Sequence, residues 1–237
     1  MSEPCLVSVI IPVWREAATI QASLQALTPL RVAGVEVLVV DAGSDDGTVR
    51  LAEPLCDRVI VSGRGRAVQM NAGAGEARGD ILLFLHADTR LPFAALEHLR
   101  DFAVSNRQWG RFDVRLSGHR LIYRVIAWFM NRRSRLTGIA TGDQAMFVRR
   151  SVFEALQGFR PIALMEDVEL SSRLRTASPP YCIDDPVVTD SRRWEQQGAW
   201  RTIWLMWRLR WRYWRGESPE SLAKVYRADV RRPTSQS

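Results

Sequence analysis

Val35-Glu-Val-Leu-Val-Val-Asp-Ala-Gly-Ser-Asp-Asp-Gly-Thr48 is an apolar, β-branched run that stops at three acids interleaved with glycine and serine. Val35 to Val40 is too short and too β-branched for a helix, which predicts a buried strand. Gly43 and Gly47 permit a tight reversal before a helix starting near Thr48. Acids at the carboxyl end of such a strand sit where open α/β sheets bind ligands.

The order strand, loop, helix recurs on both sides. Leu6 to Ile11 predicts a first strand, and Pro12-Val-Trp-Arg-Glu16 leads into a helix through Ile20, Leu24 and Leu27. After a short helix near Thr48 to Pro54 come a strand at Arg58 to Val61, a loop at Gly63 to Arg66, and a helix to about Arg78. Ile81 to Leu85 is a further strand, ending at His86-Ala-Asp88. This alternation predicts an α/β fold with a doubly wound, mostly parallel sheet. Farther on, Pro92 fits the first turn of a helix reaching Asn106, and Gly110 to Leu116 alternates as a strand. The spacing then predicts a helix over His119 to Arg135, a strand at Ala145 to Val148, a cap at Ser151 and a helix over Met165 to Thr176. Residues 1–194 read as one domain, and 195–237 as a Trp- and Arg-rich helical extension with a disordered tail.

Composition narrows the class. At 237 residues and 46% hydrophobic content, the chain can bury one substantial core. Cys5, Cys56 and Cys182 are far apart and odd in number, which argues against a disulfide framework and for a reducing compartment. Leu6 to Val13 is interrupted at once by Arg15 and Glu16, so no signal peptide is expected, and no run reaches the roughly 18 apolar residues of a membrane span. A cytoplasmic location is expected, peripheral on the inner face of the membrane. The formal charge is +7, and Arg192 to Arg215 holds seven arginines against Glu195 alone. That segment points to an anionic partner.

Three acidic sites end apolar segments: Asp41 with Asp45 and Asp46, His86 with Asp88, and Glu166 with Asp167. Activating a sugar phosphate as a leaving group requires neutralising a diphosphate, commonly through a divalent cation held by one or two carboxylates. Deprotonating an acceptor hydroxyl requires another carboxylate across the reacting carbon. Singly, each site also reads as turn and cap chemistry: an Asp-Gly turn, an N-cap at Asp88, first-turn acids at Glu166 and Asp167. Their joint occurrence in order favours a catalytic reading.

With these motifs the chain resembles a family 2 glycosyltransferase of the GT-A fold, over residues 7 to about 195. The resemblance runs through Val9-Ile-Ile-Pro-Val-Trp-Arg-Glu16, Asp41-Ala-Gly-Ser-Asp-Asp-Gly-Thr48, Gly65-Arg-Ala-Val-Gln-Met-Asn-Ala-Gly73, Phe84-Leu-His-Ala-Asp88 and Met165-Glu-Asp-Val-Glu-Leu170. His-Ala-Asp-Thr, Gly142-Asp-Gln144 and Arg192-Arg-Trp194 look like a compact bacterial subgroup associated by name with arsenosugar biosynthesis. The resemblance implies a metal-dependent, inverting transfer from a UDP- or GDP-sugar to a small-molecule or lipid acceptor. Pro12, Trp14, Glu16, Asp41 and Ser44 would line the nucleotide pocket, with Asp41 accepting a hydrogen bond from the base. Gly65 and Arg66 would approach the ribose or diphosphate, and Asn71 would brace the loop. His86, Ala87 and Asp88 would face the donor, Asp88 holding Mn or Mg. The family's first acid is replaced by His86, so either His86 ligates a softer ion or Asp88 acts alone. Asp167 would be the general base, and Glu166 would orient the acceptor or share the proton; two adjacent acids repel, so one would titrate closer to neutral pH. Gly142, Asp143, Gln144, Arg193 and Trp194 would lie on the acceptor side. The glutamine that precedes Arg-Trp in processive members is missing, which implies single-sugar transfer.

Trp200, Trp204, Trp207, Trp211 and Trp214 fall on one helical stripe, flanked by Arg201, Arg208, Arg212 and Arg215. Such a stripe fits an anionic membrane interface or, equally, a face packed on the catalytic domain. His119 to Arg135 similarly mixes apolar residues with five arginines. Nucleic acid is not expected, because no nucleic-acid module is recognisable. Three other readings carry less: a GT-A-like nucleotidyltransferase lacks its early lysine and phosphate loop, an oxidoreductase lacks the Gly-x-Gly-x-x-Gly spacing, and a binding module would leave the acids as caps.

Overall fold

The computed structural model describes residues 6–230. Cys5 and the tail at 231–237 lie outside the described residues. In chain order the elements are β1 (Val7–Val13), α1 (Ile20–Gln25), α2 (Thr28–Val32), β2 (Glu36–Asp41), α3 (Thr48–Ala52), β3 (Arg58–Val61), α4 (Arg66–Glu76), β4 (Ile81–Phe84) and β5 (Thr89–Arg90). They continue with α5 (Ala95–Val104), β6 (Trp109–Leu116), α6 (Leu121–Thr137), β7 (Phe147–Arg149), α7 (Arg150–Ala155), α8 (Glu166–Ala177), β8 (Tyr181–Thr189), α9 (Arg192–Gln197), α10 (Ala199–Trp214) and α11 (Pro219–Val230).

One sheet runs in the order β3-β2-β1-β4-β7-β6-β8-β5. β3, β2, β1 and β4 are parallel, as the alternation predicts. β7 is antiparallel to both β4 and β6, β6 is parallel to β8, and β5 is antiparallel to β8, so the second half is mixed. Every residue of β2 is buried, as expected of a parallel strand covered on both faces. Val7, Val9, Ile11 and Val13 of β1, with Val37 and Val39 of β2, pack against Ile20 and Leu24 of α1 and Phe102 of α5. Ile10, Leu38 and Val40 face the other way, onto Ala67, Met70 and Ala74 of α4 and Leu170 and Leu174 of α8. The period of two thus feeds two cores from the same strands. At Gly73 a Cβ would come within 2.5 Å of Ile10, so α4 sits on the sheet at a spacing only glycine permits.

Several boundaries differ from the sequence reading. Pro92 precedes α5, its carbonyl receiving the Ala95 N–H at 3.1 Å. Ser151 lies inside α7, because β7 passes directly into that helix at Arg149. β8 escapes the sequence reading since Asp184-Asp185-Pro186 interrupts its pattern; the sheet absorbs the interruption by a register shift between Phe112 and Val114.

The tryptophan stripe of α10 does not pack inward. Trp200, Trp204, Trp207, Trp211 and Trp214 are 58% to 81% exposed. The opposite face packs instead, with Leu205 and Leu209 against Met165 and Leu222. Of the flanking arginines, Arg201 and Arg212 are paired with Asp229 and Glu217, while Arg208 and Arg215 lie over the Trp204 and Trp211 rings.

At the far end of the sheet, the buried Glu36 closes the first turn of β2. Its carboxylate accepts from Ser8 Oγ at 2.5 Å, Arg78 N at 2.7 Å, Arg78 Nε at 2.8 Å and Arg58 Nη2 at 3.2 Å. Burial pushes its pKa up, but the hydrogen bonds from Ser8, Arg78 and Arg58 outweigh that and hold it below the ordinary 4.5. Its stabilisation is therefore present above 4.5 and is lost as pH falls through the lower folded value. Because both arginines are partly solvated, Glu36→Gln is expected to lower unfolding free energy by about 2 kcal/mol at pH 7. Urea titrations should show the gap from wild type closing below pH 4.5; a gap independent of pH would contradict this account.

Candidate active site

The parallel strands deliver their carboxyl ends to one edge. At the end of β2, Gly43 (φ 80°) and Gly47 (φ 89°) supply the left-handed backbone that the reversal requires. Asp41, 1% exposed, locks the turn: its Oδ2 accepts from Gly43 N and Ser44 N, each at 2.8 Å, and its Oδ1 accepts from Ser44 Oγ at 2.5 Å. Ser44 Oγ in turn accepts the Arg15 N–H at 2.8 Å. Asp46 receives Thr48 N and Oγ1 and Ala17 N, and Asp45 pairs with Arg15 at 2.6 Å, so both act as turn and cap acids. Glu16 anchors the start of α1, its amide donating to Thr48 Oγ1 and its carboxylate accepting from Thr19 Oγ1. Pro12 ends this edge in β1, in register with Val40. Gln69, not singled out from sequence, donates to the carbonyls of Val13 and Val40 and ties β1 to β2.

Trp14 stands exposed at the rim, with the Arg64 guanidinium 4.0 Å from its ring centroid, a cation–π pair that the sequence did not reveal. Gly65 (φ 130°) starts α4 and puts Arg66 over the neighbouring acids. Protein around Arg66 would lower its pKa, but Glu166, Tyr226, Asp143 and Asp167 hold it above its ordinary value. Asn71 braces a different loop from the one expected: its side-chain amide exchanges two hydrogen bonds with the Phe159 backbone.

At the end of β4, Asp88 is exposed and, among the described residues, its carboxylate meets only Thr89 Oγ1, at 3.3 Å. Its carbonyl accepts from Asp190 N, which brings the start of α9 alongside. Ala87 turns its side chain into the core, and its carbonyl is held by Ser23 Oγ, so only its backbone borders the site. His86 Nδ1 is 3.4 Å from Asp143 Oδ1. The other edge of its ring lies against Gly142, where a Cβ would come within 2.4 Å of Nε2. Among the described residues no three His, Cys, Asp or Glu side chains form a ready metal cage. The donor set suits an ion held by the open Asp88 carboxylate together with diphosphate oxygens and water.

The acids at α8 face this edge. Met165 takes φ 69°, a left-handed conformation that is uncommon for a side-chain-bearing residue, and the helix starts at Glu166. Asp167 Oδ2 accepts from Gly142 N at 2.6 Å and Oδ1 from Val168 N at 2.7 Å. A small pocket is lined by Met70, Phe84, His86, Gly142, Met146, Phe159, Glu166 and Asp167. Of the residues expected on the acceptor side, Gln144 is fully buried: its Oε1 accepts from Thr141 and closes a capping box, so its side chain does not reach the surface. Trp194 packs beside Leu116, Tyr123 and Ile126. The Arg193 side chain lies outside the described residues.

The Glu166 carboxyl titrates above its ordinary value. Burial is the main cause, followed by the charge of Asp167, against opposing effects of Arg66 and His86. A carboxyl raised in the folded state destabilises the fold once it ionises. Glu166→Gln is therefore expected to gain stability relative to wild type as pH rises above the ordinary 4.5. Melting temperatures at pH 4 and pH 8 read this directly, and a variant losing ground at pH 8 would sink the assignment.

Comparison with known proteins fits this geometry. The model of the family described as Glycosyl transferase family 2 matches residues 8–157. The probable glycosyltransferase YdaM of Bacillus subtilis (strain 168) is 28% identical over 236 residues, covering 89% of this chain and 55% of its own length. The chain thus spans about half the length of that curated relative. The mannosyltransferase PcManGT from Pyrobaculum calidifontis, solved with GDP-Man and Mn2+, superposes with a TM-score of 0.60 at 23% identity, over 80% of this chain and 57% of that one. Glucosyl-3-phosphoglycerate synthase from Mycobacterium tuberculosis, solved with Mn2+, UDP and glucosyl-3-phosphoglycerate, gives 0.57 at 20% identity, over 77% and 70%. These structures share the α/β architecture, and the family match runs from β1 through α7, including the acidic ends of β2 and β4. The chain belongs to glycosyl transferase family 2.

Proposed function

We propose that the chain is an inverting glycosyltransferase that moves a single sugar from a UDP- or GDP-sugar to the hydroxyl or phosphate of a small-molecule or lipid acceptor. The observation that carries this reading is the pocket that joins Glu166 and Asp167 to His86, two residues before the exposed Asp88. The neighbours solved with GDP-Man or UDP and Mn2+ support the donor class and the metal. Trp14, with Arg64 stacked on it, offers a flat surface for the base beside the Asp41–Ser44 turn, and Arg66 offers a fork to diphosphate oxygens. Asp88 would hold Mn or Mg, which supplies charge neutralisation to the leaving diphosphate. His86, held between Asp143 and Gly142, shapes the donor end of the pocket.

When the acceptor is a hydroxyl, Asp167 takes its proton as the oxygen bonds to the anomeric carbon. The bond from that carbon to the diphosphate breaks, and the nucleoside diphosphate leaves with the electron pair. Attack and departure on opposite faces give inversion. The two backbone N–H groups on Asp167 fix its aim, and Glu166 lies beside it as a proton-sharing neighbour. The association with arsenosugars rests on the subgroup's name alone and is not part of the proposal. A nucleotidyltransferase or a binding module would not turn over a nucleotide sugar.

A thermal-shift screen of nucleotide sugars with and without Mn2+ tests the donor, since a bound ligand raises melting temperature. Asp88→Ala should abolish the Mn2+-dependent part of the shift. Asp167→Asn should keep the donor shift while turnover drops about 10²–10⁴-fold. Normal turnover in Asp167→Asn would remove the base assignment.

The exposed tryptophan stripe, with Trp128 and Phe129 on α6, supports docking on an anionic membrane surface. Among the described residues, no helix is long and apolar enough to cross a membrane. Wild type should sediment with phosphatidylglycerol-containing vesicles more than with phosphatidylcholine alone. The triple variant Trp204→Ser, Trp207→Ser, Trp211→Ser should not; equal sedimentation would count against docking through this face.

A further inference from the structure

We propose that Arg133 and Arg210 form the seat for a phosphate group carried by the acceptor. α6 and the start of α10 share one apolar cluster, Ile122, Ile126 and Met130 with Ala199 and Ile203. Arg133 follows one turn beyond Met130, and Arg210 two turns beyond Ile203. The other packed face of α10 rests through Leu209 on Met165, the residue before Glu166 and Asp167. The two arginines are close enough for the charge of Arg210 to act on Arg133, and Asp167 and Asp143 act electrostatically on both.

Most arginines around them are satisfied. Arg135 pairs with Asp113, Arg201 with Asp229 and Arg212 with Glu217. Arg111, whose charge also acts on Arg133, is buried against Asp113. Arg111 Nε and Arg212 Nη1 also lack a hydrogen-bond partner, but each of those guanidiniums has its carboxylate. Among the described residues, Arg133 Nε and Nη2 and Arg210 Nε are shielded from solvent with no hydrogen-bond partner, and neither side chain has an ion pair. Burial, then the charge of Arg210, pushes the Arg133 pKa down to about 10, and burial lowers that of Arg210. Two cations shielded from water side by side destabilise the free protein. Both residues keep part of their surface open, so a ligand can reach them. A phosphate dianion supplies charge and oxygens for both forks, which one carboxylate does not. The inference rests on Asp167 marking the acceptor side. The same two helices expose Trp128, Phe129 and the tryptophan stripe on their outer faces, so the phosphate of a lipid headgroup and that of a soluble ester are both candidate sources.

Inorganic phosphate and decyl phosphate, below its micelle concentration, are the probes, read by thermal shift on the full chain. A saturating probe should raise the wild-type melting temperature by about 5 °C. Arg133→Gln and Arg210→Gln should each lose most of that rise, melt no lower than wild type when free, and keep the full nucleotide-sugar response. Arg133→Lys, which keeps the charge without the fork, should bind about tenfold more weakly. Tighter binding of decyl phosphate than of inorganic phosphate, by tenfold or more, identifies a lipid source, and equal binding a soluble ester. No wild-type response to either probe, or an undiminished response in both Gln variants, overturns the seat. Loss of the nucleotide-sugar response in those variants would assign the arginines to the donor and also overturn it. Absence of that response in wild type would instead strike the proposed function.

Discussion

Parallel pairing of β1 with β2 on one side and β4 on the other is the constraint on which the rest of the molecule depends. Parallel strands end on the same edge, so Val13, Asp41 and the His86-to-Asp88 loop are brought together by hydrogen-bond register alone. Both faces of these strands must then be covered, and the apolar alternation sends one set of side chains to α1 and α5 and the other to α4 and α8. The helix that covers the second face also presents Glu166 and Asp167. Core formation and assembly of the site are thus one packing event.

The sequence made the first half legible because its signals are local. A β-branched run closed by Asp-x-Gly-Ser-Asp-Asp-Gly leaves little freedom, and Asp45 and Asp46 behave as the turn acids their spacing suggests. The second half was harder for physical reasons. β8 carries a proline and two acids, and its pairing with β6 joins residues about 70 positions apart. Gln144 looked like an acceptor contact by adjacency to Asp143, yet a capping box buries it. The tryptophan stripe was ambiguous because periodicity shows that residues share a face, not what that face meets. Arg64, Arg133 and Arg210 carried no motif; only the three-dimensional arrangement shows one over an indole and two with shielded nitrogens that lack a hydrogen bond among the described residues.

Three of the four non-glycine residues with positive φ among the described residues, Arg15, Ala145 and Met165, lie next to Trp14, Gln144 and Glu166; the fourth, Gln157, follows α7. Glu166 is buried beside another carboxylate, whereas Glu36, equally buried at the opposite end of the sheet, is surrounded by donors. The same residue type is thus stabilising at one end of β2 and destabilising at the edge that the strand points to. Such division is expected where stability and chemistry draw on one sheet.

Met165 joins two of these features. Its side chain is clamped by Leu205 and Leu209 of α10, while its left-handed backbone sets the direction in which Glu166 and Asp167 leave the loop. α10 is also the helix whose outer face is paved with indoles. The link between the exposed indole surface and the carboxylates that line the pocket is therefore a single residue long, and a tilt of that helix is a change in direction of the acids.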